Sequence, residues 1–137
     1  ATIISNMTGI RCEALKVSLR DDDSESESNL WMAEDAFGYE SEPLATAGPL
    51  RKNILIVDDI NDTGATFNWI KEDWPSGCMP MEHDRWNAVW GSNVRFATLT
   101  DNGASNAEVP VSYTCHEINK AEEDVWLVYP WENVAEY

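Results

Sequence analysis

Apolar residues open the chain at helical spacing, with Ile3, Ile4, Met7 and Ile10 on one face and Gly9 where such a helix would stop. The period then changes. Leu15, Val17 and Leu19 alternate with Lys16, Ser18 and Arg20, which predicts a half-buried strand over 13–20. The stretch 21–28 (DDDSESES) has no apolar residue and reads either as a solvated acidic loop or as a flap that closes over a site. Residues 29–50 show no period and are punctuated by Gly38, Pro43, Gly48 and Pro49, so an irregular segment is expected. The run NILIV (53–57) is apolar throughout and ends in Asp58 and Asp59, the mark of a central parallel strand buried on both faces. Phe67, Ile70 and Trp74 follow at i, i+3 and i+7, predicting a helix that Pro75 ends, with Trp69 off its apolar face. Residues 76–85 read as a linker, with a short helix over 81–90. Beyond them come a buried strand at 94–99, a polar loop at 100–106, and strands at 111–118 and 125–129. Strand, loop, helix, strand is the order of an α/β sheet, and 137 residues suit a single domain.

Ligands of such sheets bind beyond the carboxyl ends of the strands. The strand end richest in chemistry is Asp58–Thr66. The strand delivers Asp58 and Asp59. A turn of Asp62, Thr63 and Gly64 follows, and a helix begins near Ala65 and Thr66. The first turn of a helix carries unpaired N–H groups and partial positive charge, so it accepts an anion. Thr63 and Thr66 add hydroxyl donors, and Gly64 allows close approach of the backbone. Carboxylates beside an anion cradle make sense if they accept from sugar hydroxyls or hold a divalent cation. The implied ligand is a sugar phosphate with Mg²⁺, with Asp58 and Asp59 as the metal candidates. Other readings fit less well. A calcium loop starting at Asp59 would need Glu where Ile70 stands, and no Lys follows Gly64 as a Walker loop requires. Cys78 with His83, and Cys115 with His116, lack zinc-ligand spacing. Glu132 is a weaker metal candidate. Asp58 and Asp62 as plain caps and turn formers remain the bland alternative.

Charge narrows the partners. Nine Lys and Arg face 25 Asp and Glu, a net charge of −16, so nucleic-acid polymers and anionic membranes are poor partners. A diffuse negative surface is screened beyond about 8 Å. Charge-assisted hydrogen bonds, at roughly 1.5–3 kcal/mol each, outweigh it at a cradle. The acidic surface also suits a salt-rich environment. Three separated Cys make no disulfide framework and read as reduced thiols of a cytoplasmic protein. No secretory leader and no membrane span is visible. The chain starts at Ala1, already in a helical pattern, so a further segment upstream is expected.

The segment VDDINDTGAT (57–66) resembles the phosphoribosyl-diphosphate (PRPP) motif of the type I phosphoribosyltransferases, and VWLVYPWE (125–132) resembles the base-stacking segment of their xanthine, guanine and hypoxanthine branch. The resemblance implies a parallel sheet flanked by helices, a base-binding hood formed in part by the C-terminal strands, and an N-terminal strand lying upstream of this sequence. It implies transfer of the 5-phosphoribosyl group from PRPP to a nucleobase, in particular a purine, with release of pyrophosphate and Mg²⁺ as cofactor. Asp58 and Asp59 would receive the ribose hydroxyls. Asp62, Thr63, Gly64, Ala65 and Thr66 would wrap the 5′-phosphate, with Asp62 also the catalytic proton acceptor. Trp126 would stack on the base and Leu127 would cover it or hydrogen-bond it through its backbone. Asn102 falls where 6-oxopurine enzymes carry a Lys that reads the base. The family's flexible flap would fall on 20–35, and its pyrophosphate loop upstream of this sequence. A homodimer is implied, with Trp69 or Trp86 as contact candidates. Two rivals stand beside it: a non-catalytic PRPP or nucleotide sensor on the same fold, and a Mg²⁺-dependent sugar-phosphate hydrolase.

Overall fold

The structure, a computed structural model, describes residues 1–17, 30–38, 50–123 and 125–131. In chain order come α1 (Thr2–Thr8), α2 (Leu30–Phe37), β1 (Ile54–Asn61), α3 (Ala65–Gly77), α4 (His83–Val89), β2 (Val94–Asn102) and β3 (Val111–Ile118). The strands form one parallel sheet in the order β1-β2-β3, so the chain is of the α/β class.

One face of the sheet carries the core. The register sets Ile54 beside Val94 and Ile56 beside Phe96. Phe67 on α3 meets Phe96 with ring centroids 4.8 Å apart, and Ile70 and Trp74 are buried on the same helix face, as the i, i+3, i+7 spacing predicts. Short helices complete the layer: α2 buries Met32, Ala33, Ala36 and Phe37, and α4 buries Trp86 and Val89. Aromatic contacts tie the helices together, Phe37 to Trp86 at 5.3 Å, Trp86 to Trp90 at 5.6 Å and Trp90 to Trp74 at 5.8 Å. Each such ring removes roughly 150–250 Å² from water, which makes this layer the main source of stability. Asn93 closes its base: its amide donates to the Ala36 and Lys52 carbonyls, and its own carbonyl accepts from Ile54 N–H.

Several expectations change. Among the described residues β1 lies at the edge of the sheet, with Leu55 53% exposed, and β2 is the central strand. A continuous apolar run reports apolar faces, not position in the sheet. Residues 11–17 form no strand; Leu15 and Val17 pack against the core from an irregular segment, and 18–20 lie outside the described residues. A helix, α2, stands within 29–50, where an irregular segment was expected. Its buried stripe is blurred in the sequence by exposed Leu30 and Trp31, which add apolar residues outside that stripe. α3 runs past Pro75 to Gly77, because the missing proline N–H falls in the last turn and Cys78 N–H still reaches the Trp74 carbonyl at 3.0 Å. The first three residues of the expected 100–106 loop extend β2, pairing Thr100 with His116, Asp101 with Glu117 and Asn102 with Ile118. Residues 111–118 form the third sheet strand, not part of a hood, and 125–129 run without strand pairing. Trp86 is only 2% exposed and so offers no open contact, while Trp69 is partly buried against the core. The acidic stretch 21–28 lies outside the described residues, as does most of the expected flap, whose residues 30–35 belong to α2. Among the described residues, no helix is long and apolar enough to cross a membrane.

Candidate functional site

β1 carries Asp58 and Asp59 to its carboxyl end, both half-buried. Each carboxylate turns one oxygen back to the main chain. Asp58 Oδ1 accepts from Asp59 N–H at 3.0 Å, and Asp59 Oδ1 accepts from Ile60 N–H at 2.8 Å. The chain then turns through residues 62–64 into α3. Gly64 caps the helix at φ +88°, a left-handed conformation that favours glycine, and a Cβ there would lie 2.4 Å from the Ala107 nitrogen. Thr63 Oγ1 accepts from Ala65 N–H at 3.3 Å. Among the described residues, the Thr66 and Phe67 N–H groups have no protein acceptor, as the first turn of a helix dictates. Asp58–Thr66 line a cleft of about 1200 Å³ that runs along β1, with residues of the 1–17 segment on its other wall.

The loop after β2 supports this turn. Asn106 N–H donates to the Thr63 carbonyl at 3.0 Å. Asn68, on the first turns of α3, donates to the Asn106 carbonyl at 2.9 Å and accepts from Glu108 N–H at 2.7 Å. Asn61 is buried and donates to Asp101 Oδ1 at 2.7 Å and Ser105 Oγ at 2.9 Å. Asn102 is 5% exposed and works as a clamp. Its amide donates to the Asp62 carbonyl at 2.9 Å, and its Oδ1 accepts from Ala104 N–H at 3.1 Å and Lys120 N–H at 3.0 Å. That set fills both lone pairs of its oxygen, so it holds two loops together instead of facing an open site. Lys120 Nζ in turn stands 3.0 Å from Asp62 Oδ2.

The segment 125–131 reaches the strand ends through Tyr129, whose hydroxyl lies 3.2 Å from the Asp59 carbonyl and 3.0 Å from Thr100 Oγ1. Burial alternates along it: Val125, Leu127 and Tyr129 are partly buried, while Trp126 is 76% exposed. The Tyr129 ring also stacks on Trp131 at 4.8 Å.

Asp58, Asp59, Asp62, Thr63, Gly64, Ala65 and Thr66 are therefore brought together at one cleft, along the end of β1, the turn and the start of α3. Asn102 lies behind that turn, and neither it nor Trp126 or Leu127 lines the cleft. Lys120, Tyr129, Asn61 and Asn68 are the residues that sequence reasoning missed. The alternation in VWLVY was the available signal for Tyr129. Nothing local marked Lys120, which reaches Asp62 across 58 residues. Among the described residues, no group of three or more His, Cys, Asp or Glu is arranged to hold a metal. Asp58 and Asp59 offer hard oxygen donors that suit Mg²⁺ when substrate oxygens and water complete its shell. Glu132 lies outside the described residues. Cys12, Cys78 and Cys115 are free thiols, and Cys78 is buried away from this turn beside Trp86, whose indole N–H donates to its carbonyl. Burial pushes the Cys78 thiol above its ordinary range, Glu34 adds to the shift and Arg85 opposes it.

Comparison with known proteins finds no matching family, no similar curated protein and no similar solved structure.

Proposed function

We propose that this chain binds the 5-phosphoribosyl group of PRPP at the turn Asp58–Thr66 and transfers it to a nucleobase, a purine in particular, with release of pyrophosphate. The observation that carries this reading is the entry into α3. A left-handed Gly64 packed against Ala107 opens a helix whose Thr66 and Phe67 N–H groups have no protein acceptor among the described residues, one short turn after a strand that carries two half-buried acids. Phosphate oxygens accept from such N–H groups, and the acids accept from the ribose hydroxyls. The motif VDDINDTGAT supplies the chemical identity of the ligand by its resemblance to the PRPP motif.

In this reading the turn fixes the 5′-phosphate and thereby the anomeric carbon, so positioning supplies much of the rate. Positive charge develops on the ribose as pyrophosphate departs, and the nearby carboxylates stabilise it. Asp62 takes the proton from the base nitrogen. Asp58 and Asp59 would hold Mg²⁺, which when bound would supply positive charge for the pyrophosphate leaving group.

The test is Mg²⁺-dependent release of pyrophosphate from PRPP with a panel of purine and pyrimidine bases, for the parent chain and for Asp62→Asn. Transfer to one class of base, cut by about 10²-fold or more in the variant, is the expected result. PRPP binding without product on any base would favour the sensor, and release of free phosphate would favour the hydrolase.

A further inference from the structure

In a chain of net charge −16, a phosphate-accepting turn that opens with a carboxylate faces a local problem as well as a diffuse one. Asp62 heads the turn, with Asp58 and Asp59 just before it and Asp101 beside Asn61. The structure answers with a cation from a distant loop. Lys120 follows β3, and its ammonium is 3.0 Å from Asp62 Oδ2. The Lys120 side chain is largely buried, at 20% exposure, against 40% for Asp62. The pairing is built in, because the buried Asn102 binds both partners, accepting from Lys120 N–H and donating to the Asp62 carbonyl.

We infer that Lys120 is the counter-charge of this turn, a positioning residue that cancels Asp62 so that an anion can seat on the adjoining N–H groups. The inference rests on the proposed phosphate reading and adds a charge rule to it. With both side chains present the pair is neutral. Removing the carboxylate leaves one positive charge at the turn, removing the ammonium leaves one negative charge, and removing both restores neutrality. A unit charge this near a phosphate changes affinity by about threefold or more in a solvent-facing site.

The experiment is calorimetric titration with ribose 5-phosphate, a ligand that lacks the leaving group, at low and high salt. It uses the parent chain, Asp62→Asn, Lys120→Met, Lys120→Arg and the Asp62→Asn/Lys120→Met pair, each checked for its fold by circular dichroism. The expected order is Asp62→Asn tightest, the parent, Lys120→Arg and the double variant alike, and Lys120→Met weakest. Salt should compress the spread. A Lys120 that merely ties two loops together would leave the double variant as weak as Lys120→Met. That result, or an Asp62→Asn variant no tighter than the parent, overturns the counter-charge. A parent chain that binds no ribose 5-phosphate overturns the phosphate reading, and the counter-charge with it. If the methionine variant does not fold, the parent, Asp62→Asn and Lys120→Arg still decide the matter, since a tighter Asp62→Asn is required in any case.

Discussion

Gly64 is fixed by two independent constraints, its positive φ and the Ala107 backbone 2.4 Å from where a Cβ would stand. An alanine there must strain the turn and push the 106–107 backbone away. Gly64→Ala should cost about 2–3 kcal/mol in urea unfolding and abolish ribose 5-phosphate binding. Stability equal to the parent's would contradict the packing described. Cys78 offers a second residue-level check. Its folded pKa is raised, so the folded state holds the proton more tightly than the unfolded chain does. The associated stability is intact below the unfolded thiol's pKa and is lost as pH rises through the folded value. Stability should therefore fall above about pH 9 and fall less in Cys78→Ala. Iodoacetamide should label Cys12 and Cys115 well before Cys78, and mass spectrometry reads that order. The acids and the glycine of the turn were legible in the sequence because their neighbours in space are neighbours in the chain. Lys120 and Asn102 were not legible in their actual roles, since a pairing across 58 residues leaves no local pattern. Asn102 falls where the resemblance sets a base-reading Lys, yet it ends β2 and is buried.

At the scale of elements, the β1–α3 unit carries both the core and the site. Phe96 on β2 packs on Phe67, three residues past Gly64, so the same contact that buries the core sets where α3 begins. Phe96→Ala should destabilise by about 3–5 kcal/mol. It should also weaken ribose 5-phosphate binding, a coupling that an independent turn would not show. The segment 125–131 is held differently, by the Tyr129 hydroxyl on Asp59 and Thr100. Tyr129→Phe should cost only about 1 kcal/mol. Hydrogen exchange should nevertheless quicken across 125–131 and not across β2, and uniform exchange would show the segment is held by something else. The helix face of α3 was readable because 13 residues span several turns. α2, with eight residues, is too short for its stripe to stand out beside Leu30 and Trp31. The three strands of the sheet were readable, but the strands expected over 13–20 and 125–129 do not form in their described residues, and the strand order was not readable, because the apolar run of β1 suggested the centre of the sheet. Leu55, Leu99 and Tyr113 show that the second face carries apolar side chains exposed among the described residues.

Over the whole molecule, charge and shape act on different quantities. The net charge of −16 lowers the rate at which an anionic ligand arrives, and added salt should speed association. In the proposed reading affinity is set at the turn, where N–H groups and a neutralised carboxylate would meet the ligand. The composition excluded a basic footprint at first reading, and the α/β class followed from the alternation of strand and helix patterns. The cleft between β1 and the 1–17 segment was not foreseeable, because its outer wall comes from residues that form no strand. The most direct measurement is an amide ¹H–¹⁵N titration of the chain with ribose 5-phosphate. The largest shifts should fall on Thr63, Gly64, Ala65, Thr66 and Phe67, with a smaller response at Lys120. Shifts that cluster away from this turn, or none at saturating ligand, would contradict a phosphate seat at the start of α3.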